Sequence, residues 1–198
     1  MSLARSYTLI APLYDRVLER ATRQARQINL APLAQVAPGR VLIAGVGTGL
    51  DLPHLSAIYD YVGLDLTDAM LRRSLRQVRG HRYHAVQGSA LALPFPDNSF
   101  DHTVLHLILA VVPSPATALR ESLRVTRPGG TLFIFDKFLR PGQRAWLRRT
   151  LTPLSARIAT RMDVVFEDLL KNAPGTVLEH DEAALAGGWF RRLRLRKA

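Results

Sequence analysis

Apolar and polar positions recur along this chain with two different periods, and the switches between them mark strands and helices in turn. Leu13, Val17, Ala21, Ala25 and Ile28 fall at helical spacing with Arg16, Arg20, Arg23 and Arg26 between them, which predicts an amphipathic helix near the start. "VLIAG" at 41–45 is uniformly apolar and reads as a strand buried on both faces. "DYVGLD", Asp60 to Asp65, is a second strand, followed by a helix carrying Leu71, Leu75 and Val78 on one side. "RYHAVQG" from Arg82 alternates as a third strand, and "FDHTVLHL" from Phe100 is a fourth, with His102 and His106 on one face. Ser114 and Pro115 have the form of an N-cap with proline at the first helical position. That helix stops at "RPGG", 127–130, and "TLFIFD", 131–136, is a fifth strand. Strands alternating with helices of this length build βαβ units, so the expected fold is α/β with a doubly wound, mostly parallel sheet.

The first strand runs straight into "GVGTGLDLPHL", where three alternating glycines precede a pattern that resumes at helical spacing. In a doubly wound sheet the ligand lies beyond the carboxyl ends of the strands, so this turn faces the binding crevice. Gly45, Gly47 and Gly49 remove side chains where a ligand and the backbone must approach each other. An acid that grips a ribose is expected about 20 residues on, at the end of the next strand, and Asp65 stands there. The spacing is G-x-G-x-G and lacks the G-x-G-x-x-G of dinucleotide binders.

Five segments in order, "APLYDRVL", "GVGTGLDLPHL", "GLDLTDAML", "ALPFPDNSFD" and "ALRESLRVTRPGGTLFIFDKF", resemble the class I S-adenosylmethionine-dependent methyltransferases. Within that class the chain is similar to the small bacterial phosphatidylethanolamine N-methyltransferases and quinone-ring methyltransferases. The resemblance implies a seven-stranded Rossmann-like sheet with an N-terminal helical extension. It implies one methyltransferase domain over 1–198, divided into a helical cap at 1–38, a cofactor core at 39–136 and a substrate-side part at 137–198. It further implies that Gly45, Val46, Gly47, Thr48 and Gly49 line the methionine and ribose portion of S-adenosyl-L-methionine and that Asp65 holds the ribose hydroxyls. Leu66 and Met70 then pack near the adenine, and Ser89 and Ala90 complete its pocket. His106 and Leu107 lie near the sulfonium and the methyl acceptor, and Tyr14 closes over the cofactor. Tyr14, His106 and Asp136 are the candidate catalytic residues, orienting the acceptor and assisting proton removal. Two departures stand out: Ile43 and Ser89 occupy positions where the family usually carries acids.

Charge and composition narrow the acceptor only so far. The chain has 198 residues, no cysteine and a net charge of +11. No disulfide, catalytic thiolate or metal-ligand spacing is present in this pattern, and a cysteine-free chain fits a reducing cytoplasm. The start lacks the apolar core of a signal peptide, and the longest apolar run, "VLHLILAVV", is far short of the roughly 20 residues that cross a bilayer. The charge is uneven: 41–136 has 8 basic residues against 8 acids, while 137–198 has 13 against 6. Arg16, Arg20, Arg23 and Arg26 beside one apolar stripe, and Arg144, Arg148 and Arg149 beside Trp146 and Leu147, suggest an anionic membrane surface as a partner, peripheral at the inner membrane face. A solvated face is the alternative, as is a buried stripe for Trp146, Leu147, Leu151, Leu154 and Ile158. Nucleic acid is supported by charge alone, with no recognition module, no N-P-P-Y-type turn after the fourth strand and no cysteine for cytosine C5 chemistry. The resemblance implies a small molecule or a lipid headgroup, such as phosphatidylethanolamine, as the acceptor, with a nucleic-acid methyltransferase or a non-catalytic adenosyl-binding scaffold as alternatives.

Overall fold

The computed structural model describes residues 20–36, 38–140 and 163–198. Residues 20–30 lie in helix α1, which a 3-10 turn at Ala31–Gln35 extends. Strand β1, Arg40–Ala44, leads through a 3-10 turn at Leu52–His54 to β2, Asp60–Asp65. Then come α2, Asp68–Leu75, and β3, Arg82–Gln87. After β4, Phe100–His106, follow α3, Pro115–Val125, and β5, Thr126–Lys137. Helix α4, Phe166–Lys171, precedes β6, Thr176–Leu185, and β7, Phe190–Lys197. The seven strands form one sheet in the order β3-β2-β1-β4-β5-β7-β6. Strands β1 to β5 are mutually parallel, and β7 runs antiparallel to both β5 and β6.

The alternation within β1 explains why the sheet is covered on both sides. Leu42 and Ala44 pack with Val62, Leu64, Leu105, Ile134, Leu193 and α3 on one face. Val41 and Ile43 pack with Tyr59, Tyr61, Val104, Phe133 and the end of α1 on the other. All four residues of β1 after Arg40 are buried, as a strand flanked by parallel neighbours and covered on both faces must be. Ile43 is therefore a core residue at 1% exposure, and an acid there would need a buried partner.

Several local expectations change in the structure. The pattern after the glycine turn yields only the short 3-10 turn, with Pro53 at its start and Leu52 and Leu55 buried beneath it. Helix α2 ends at Leu75, which is half exposed; Leu71 and Ser74 are its buried residues, and Val78, just past its end, packs half-buried against the same core. The Ser114 cap forms as expected: its Oγ accepts from the Thr117 amide, with Pro115 at the first helical position. Strand β5 begins at Thr126, five residues before the apolar run, because Thr126 pairs with Phe100 across an irregularity in β4.

Side chains of α3 fasten the "LPFPD" loop. Arg124 donates to the Leu93 and Phe95 carbonyls and to the carboxylates of Asp97 and Glu121, while Glu121 accepts from the Leu93 amide. These bonds tie the "ALPFPD" loop to the "RESLRV" stretch of α3.

Candidate active site

The carboxyl edge of the parallel strands gathers the glycine loop, the end of β2 and the 87–92 turn. The Gly45 and Val46 amides both donate to the Leu64 carbonyl, which locks the loop to β2. Gly47 has φ +56, and a Cβ there would meet nothing within 4 Å, so the loop presents bare backbone to an open space. Gly49, at φ +84, serves packing instead. A Cβ there would lie 2.9 Å from the Ser74 Cα, so this glycine lets α2 pack against the loop.

Asp65 closes the loop from the side. Its Oδ2 accepts from the Gly47 amide at 2.9 Å, and its Oδ1 accepts from the Thr67 amide at 3.0 Å and hydroxyl at 3.2 Å. The carboxylate is half-buried, which leaves it accessible to a ligand hydroxyl. Leu66, next to it, is 69% exposed, and Met70 is half-buried. The Gly88 amide donates to the Asp65 carbonyl and Gln87 Nε2 to the Leu66 carbonyl, which brings the 87–92 turn to the same edge. In that turn Ser89 Oγ accepts from the Leu91 amide, and Ala90 is buried. Thr48 is half-buried and Val46 buried.

His106 stands differently from the expectation that it faces the pocket. Its side chain is 1% exposed, with Nδ1 at 2.7 Å from Asp51 Oδ1 and Nε2 at 2.9 Å from Asn29 Nδ2. The same Asp51 oxygen accepts from Arg26 Nη1 at 2.7 Å, and Arg26 Nε donates to Thr22 Oγ1. Burial alone would raise the Asp51 carboxyl, but Arg26 and His106 together hold it well below the usual carboxylate range. Asn29 on α1 and the Asp51 carboxylate just behind the glycine loop, itself held by Arg26, thus draw His106 inward. Arg26 is accordingly no part of a solvated basic face, being 5% exposed.

The sequence pattern leaves Asn29 and Asp51 without a role and puts Arg26 on a basic face, whereas the structure joins all three around His106. A signal existed: Thr22, Arg26 and Asn29 fall at i, i+4 and i+7, a polar seam on the packed side of α1.

Asp136 is also buried, at 1% exposure, and accepts from the amides of Ala110 and Lys137. Burial pushes its carboxyl up to about 6 against the pull of those amides. It organises the turn after β4, where Leu107 adopts φ +58 and its amide donates to the Phe135 carbonyl. A non-glycine residue in that conformation marks local strain at a position where binding sites commonly store it. Tyr14 lies outside the described residues, as do Trp146 and the arginines around it.

Comparison with known proteins points one way. Residues 42–134 match the model of the family described as "Methyltransferase domain". A phosphatidylethanolamine N-methyltransferase of Cereibacter sphaeroides is 31% identical over 99% of this chain and 98% of its own length. A demethylmenaquinone methyltransferase of Roseiflexus sp. is 36% identical over 77% of this chain and 69% of its own. Among solved structures, an S-adenosylmethionine-dependent methyltransferase of Thermotoga maritima superposes with TM-score 0.72 at 19% identity, covering 98% of this chain and 99% of that one. The [4+2]-cyclase SpnF superposes with TM-score 0.71 at 19% identity, over 98% and 94%. At such identities the structural likeness shows the fold alone.

Proposed function

This chain belongs to the class I S-adenosylmethionine-dependent methyltransferases, and we propose that it methylates the amine of an ethanolamine-type lipid headgroup. The observation that carries this reading is the end-to-end match to a phosphatidylethanolamine N-methyltransferase, whereas the quinone-ring relative aligns over about two thirds of its own length. The residues present fit the cofactor: bare backbone at Gly47 facing open space, and a half-buried carboxylate at Asp65 braced by the same loop.

When bound, S-adenosylmethionine supplies an electrophilic methyl group, so the protein's work is alignment. In this reading Gly47 and Asp65 hold the adenosyl end, with Leu66, Met70, Ser89 and Ala90 about the base. Leu107 and the turn braced by Asp136 shape the acceptor side. His106, with both ring nitrogens engaged, acts as a positioning residue that ties β4 to the glycine loop through Asp51. Tyr14 remains a proposal on sequence grounds as the residue closing the site.

Peripheral contact with an anionic membrane is part of the proposal. Residues 137–161 contain seven cations and no acid, a composition that favours anionic headgroups at about 1 kcal/mol per cation near the surface. Among the described residues no helix is long and apolar enough to cross a membrane.

The test uses the full chain, methyl-labelled cofactor and vesicles containing phosphatidylethanolamine, with or without anionic lipid. Label should enter the lipid amine, faster on anionic vesicles at low salt. Asp65→Ala should weaken S-adenosylhomocysteine binding by about 1–3 kcal/mol through loss of charge-assisted hydrogen bonds. Label entering a hydroquinone but no lipid amine would reassign the acceptor.

A further inference from the structure

Strand β5 outruns its neighbour. Its last partner on β4 is Phe135, opposite His106, and Lys137 stands two residues further along. At about 3.3 Å per residue, that sets Lys137 roughly 7 Å beyond the paired end of β4, on the edge where doubly wound sheets bind their ligands. Strand alternation puts Lys137 on the same face as Phe135, the face that carries His106 and α1, while Asp136 leaves the other way. A row of rings leads to it: His106 meets Phe135 edge-on at 5.7 Å, Phe135 stacks on Phe190 at 5.7 Å, and the Lys137 Nζ lies 5.5 Å from the Phe190 centroid.

The ammonium is unusually placed. It is half-buried, and among the described residues its Nζ has no hydrogen-bond acceptor and no ion pair; its near contact is the Phe190 ring. The cations of the neighbouring strand β7 differ: Arg191, Arg192, Arg194 and Arg196 pair with acids of α4 or β6, and Lys197 Nζ donates to Asn98 Oδ1 and to the Leu123 and Thr126 carbonyls. Burial draws the Lys137 ammonium below its ordinary value, with the Asp136 charge opposing. A half-buried cation on an aromatic ring, with three donor hydrogens unspent, is a receptor for an anionic oxygen.

We propose that Lys137 is a specificity-determining residue that binds an oxyanion carried by the methyl acceptor close to its nucleophilic atom. This rests on the reading of the carboxyl edge as a methyltransferase site. Two acceptors share that chemistry: a phosphodiester two carbons from an amine, and a hydroquinone whose ionised hydroxyl adjoins the reacting ring carbon. For an amine, the nearby positive charge also disfavours the ammonium form and so favours the nucleophilic free base.

The test is a set of titrations of the full chain in the presence of S-adenosylhomocysteine, with two pairs of probes. Glycerophosphoethanolamine is compared with ethanolamine, and 1,4-naphthohydroquinone with its dimethyl ether, on the parent chain and on Lys137→Met, Lys137→Gln and Lys137→Arg. At least one oxyanion probe should bind the parent more tightly than its counterpart. It should then weaken by about tenfold or more in Lys137→Met and Lys137→Gln, the scale of one lost charge-assisted hydrogen bond, and be largely retained in Lys137→Arg. The pair that responds names the acceptor. Oxyanion probes that bind no better than their counterparts, or that bind the Met and Gln variants as tightly as the parent, overturn the proposal. S-adenosylhomocysteine affinity separates the two levels: retained in every variant, it confines such a failure to Lys137, whereas its absence in the parent chain overturns the adenosyl site itself.

Discussion

Arg26 and Arg191 are both removed from solvent, at 5% and 1% exposure, and both meet carboxylates, yet they sit in different electrostatic settings. Arg26 shares a single oxygen of Asp51 with His106, and the Asp51 side chain is itself 5% exposed, so the whole cluster is dry. Arg191 divides its guanidinium between Asp181 and Glu167, whose side chains keep 27% and 33% of their exposure. The first cluster joins α1, the glycine loop and the end of β4. The second joins α4, β6 and β7, well along the sheet from the glycine loop. A buried arginine can thus position a site or merely fasten an edge, and what its partners touch decides which.

Asp51→Asn strikes this contrast hardest. It leaves Arg26 buried without its counter-charge, and removing one partner of a buried pair costs about 3–5 kcal/mol. Chemical denaturation should show that loss, and calorimetry should show S-adenosylhomocysteine binding weakened by about tenfold, since Asp51 anchors the loop that carries Gly47. The pH dependence has a definite sign. The folded Asp51 carboxyl lies below its ordinary value of 3.8, so its stabilisation is complete above that pH and is lost as acid drives protonation below it. The acid limb of the stability curve should therefore flatten in Asp51→Asn.

Arg191→Met probes the other region. The half-wet acids it leaves behind can turn to solvent, so the expected loss is smaller, about 1–3 kcal/mol, with adenosyl affinity unchanged. A variant at Arg191 that weakened cofactor binding as much as Asp51→Asn would erase the distinction. Smallest of all is the outer ladder: Arg192 with Glu182, and Arg194 and Arg196 with Glu179. Glu182→Gln should change stability by no more than about 1 kcal/mol, and that difference should shrink in high salt.

Much of the cofactor edge was legible in residue order because its parts are local. Gly45, Gly47 and Gly49 follow an apolar strand directly, and Asp65 ends the next one, so backbone spacing alone delivers Asp65 to the Gly47 amide. The basic C-terminal segment was less transparent. Its "FRRLRLRK" looks like a free cationic strip, but β6, "TVLEHDEAAL", lies antiparallel beside it and supplies the compensating acids. Nothing in the spacing of either segment announces that register, because strand pairing joins residues that are remote along the chain.

Residue order was enough for the five parallel strands, the helices at 68–75 and 115–125, the glycine turn, the acid at 65 and kinship with a methyltransferase family, all carried by periodicity and short-range spacing. It took the folded chain to establish that His106 turns inward, that Arg26 is a buried partner and that Lys137 projects past β4 with its ammonium on Phe190. The physical reason is the range of the interactions. A turn or a strand is written in neighbouring residues, whereas the state of a charged side chain depends on which distant group meets it: Asp51 lies 55 residues from His106 and 25 from Arg26.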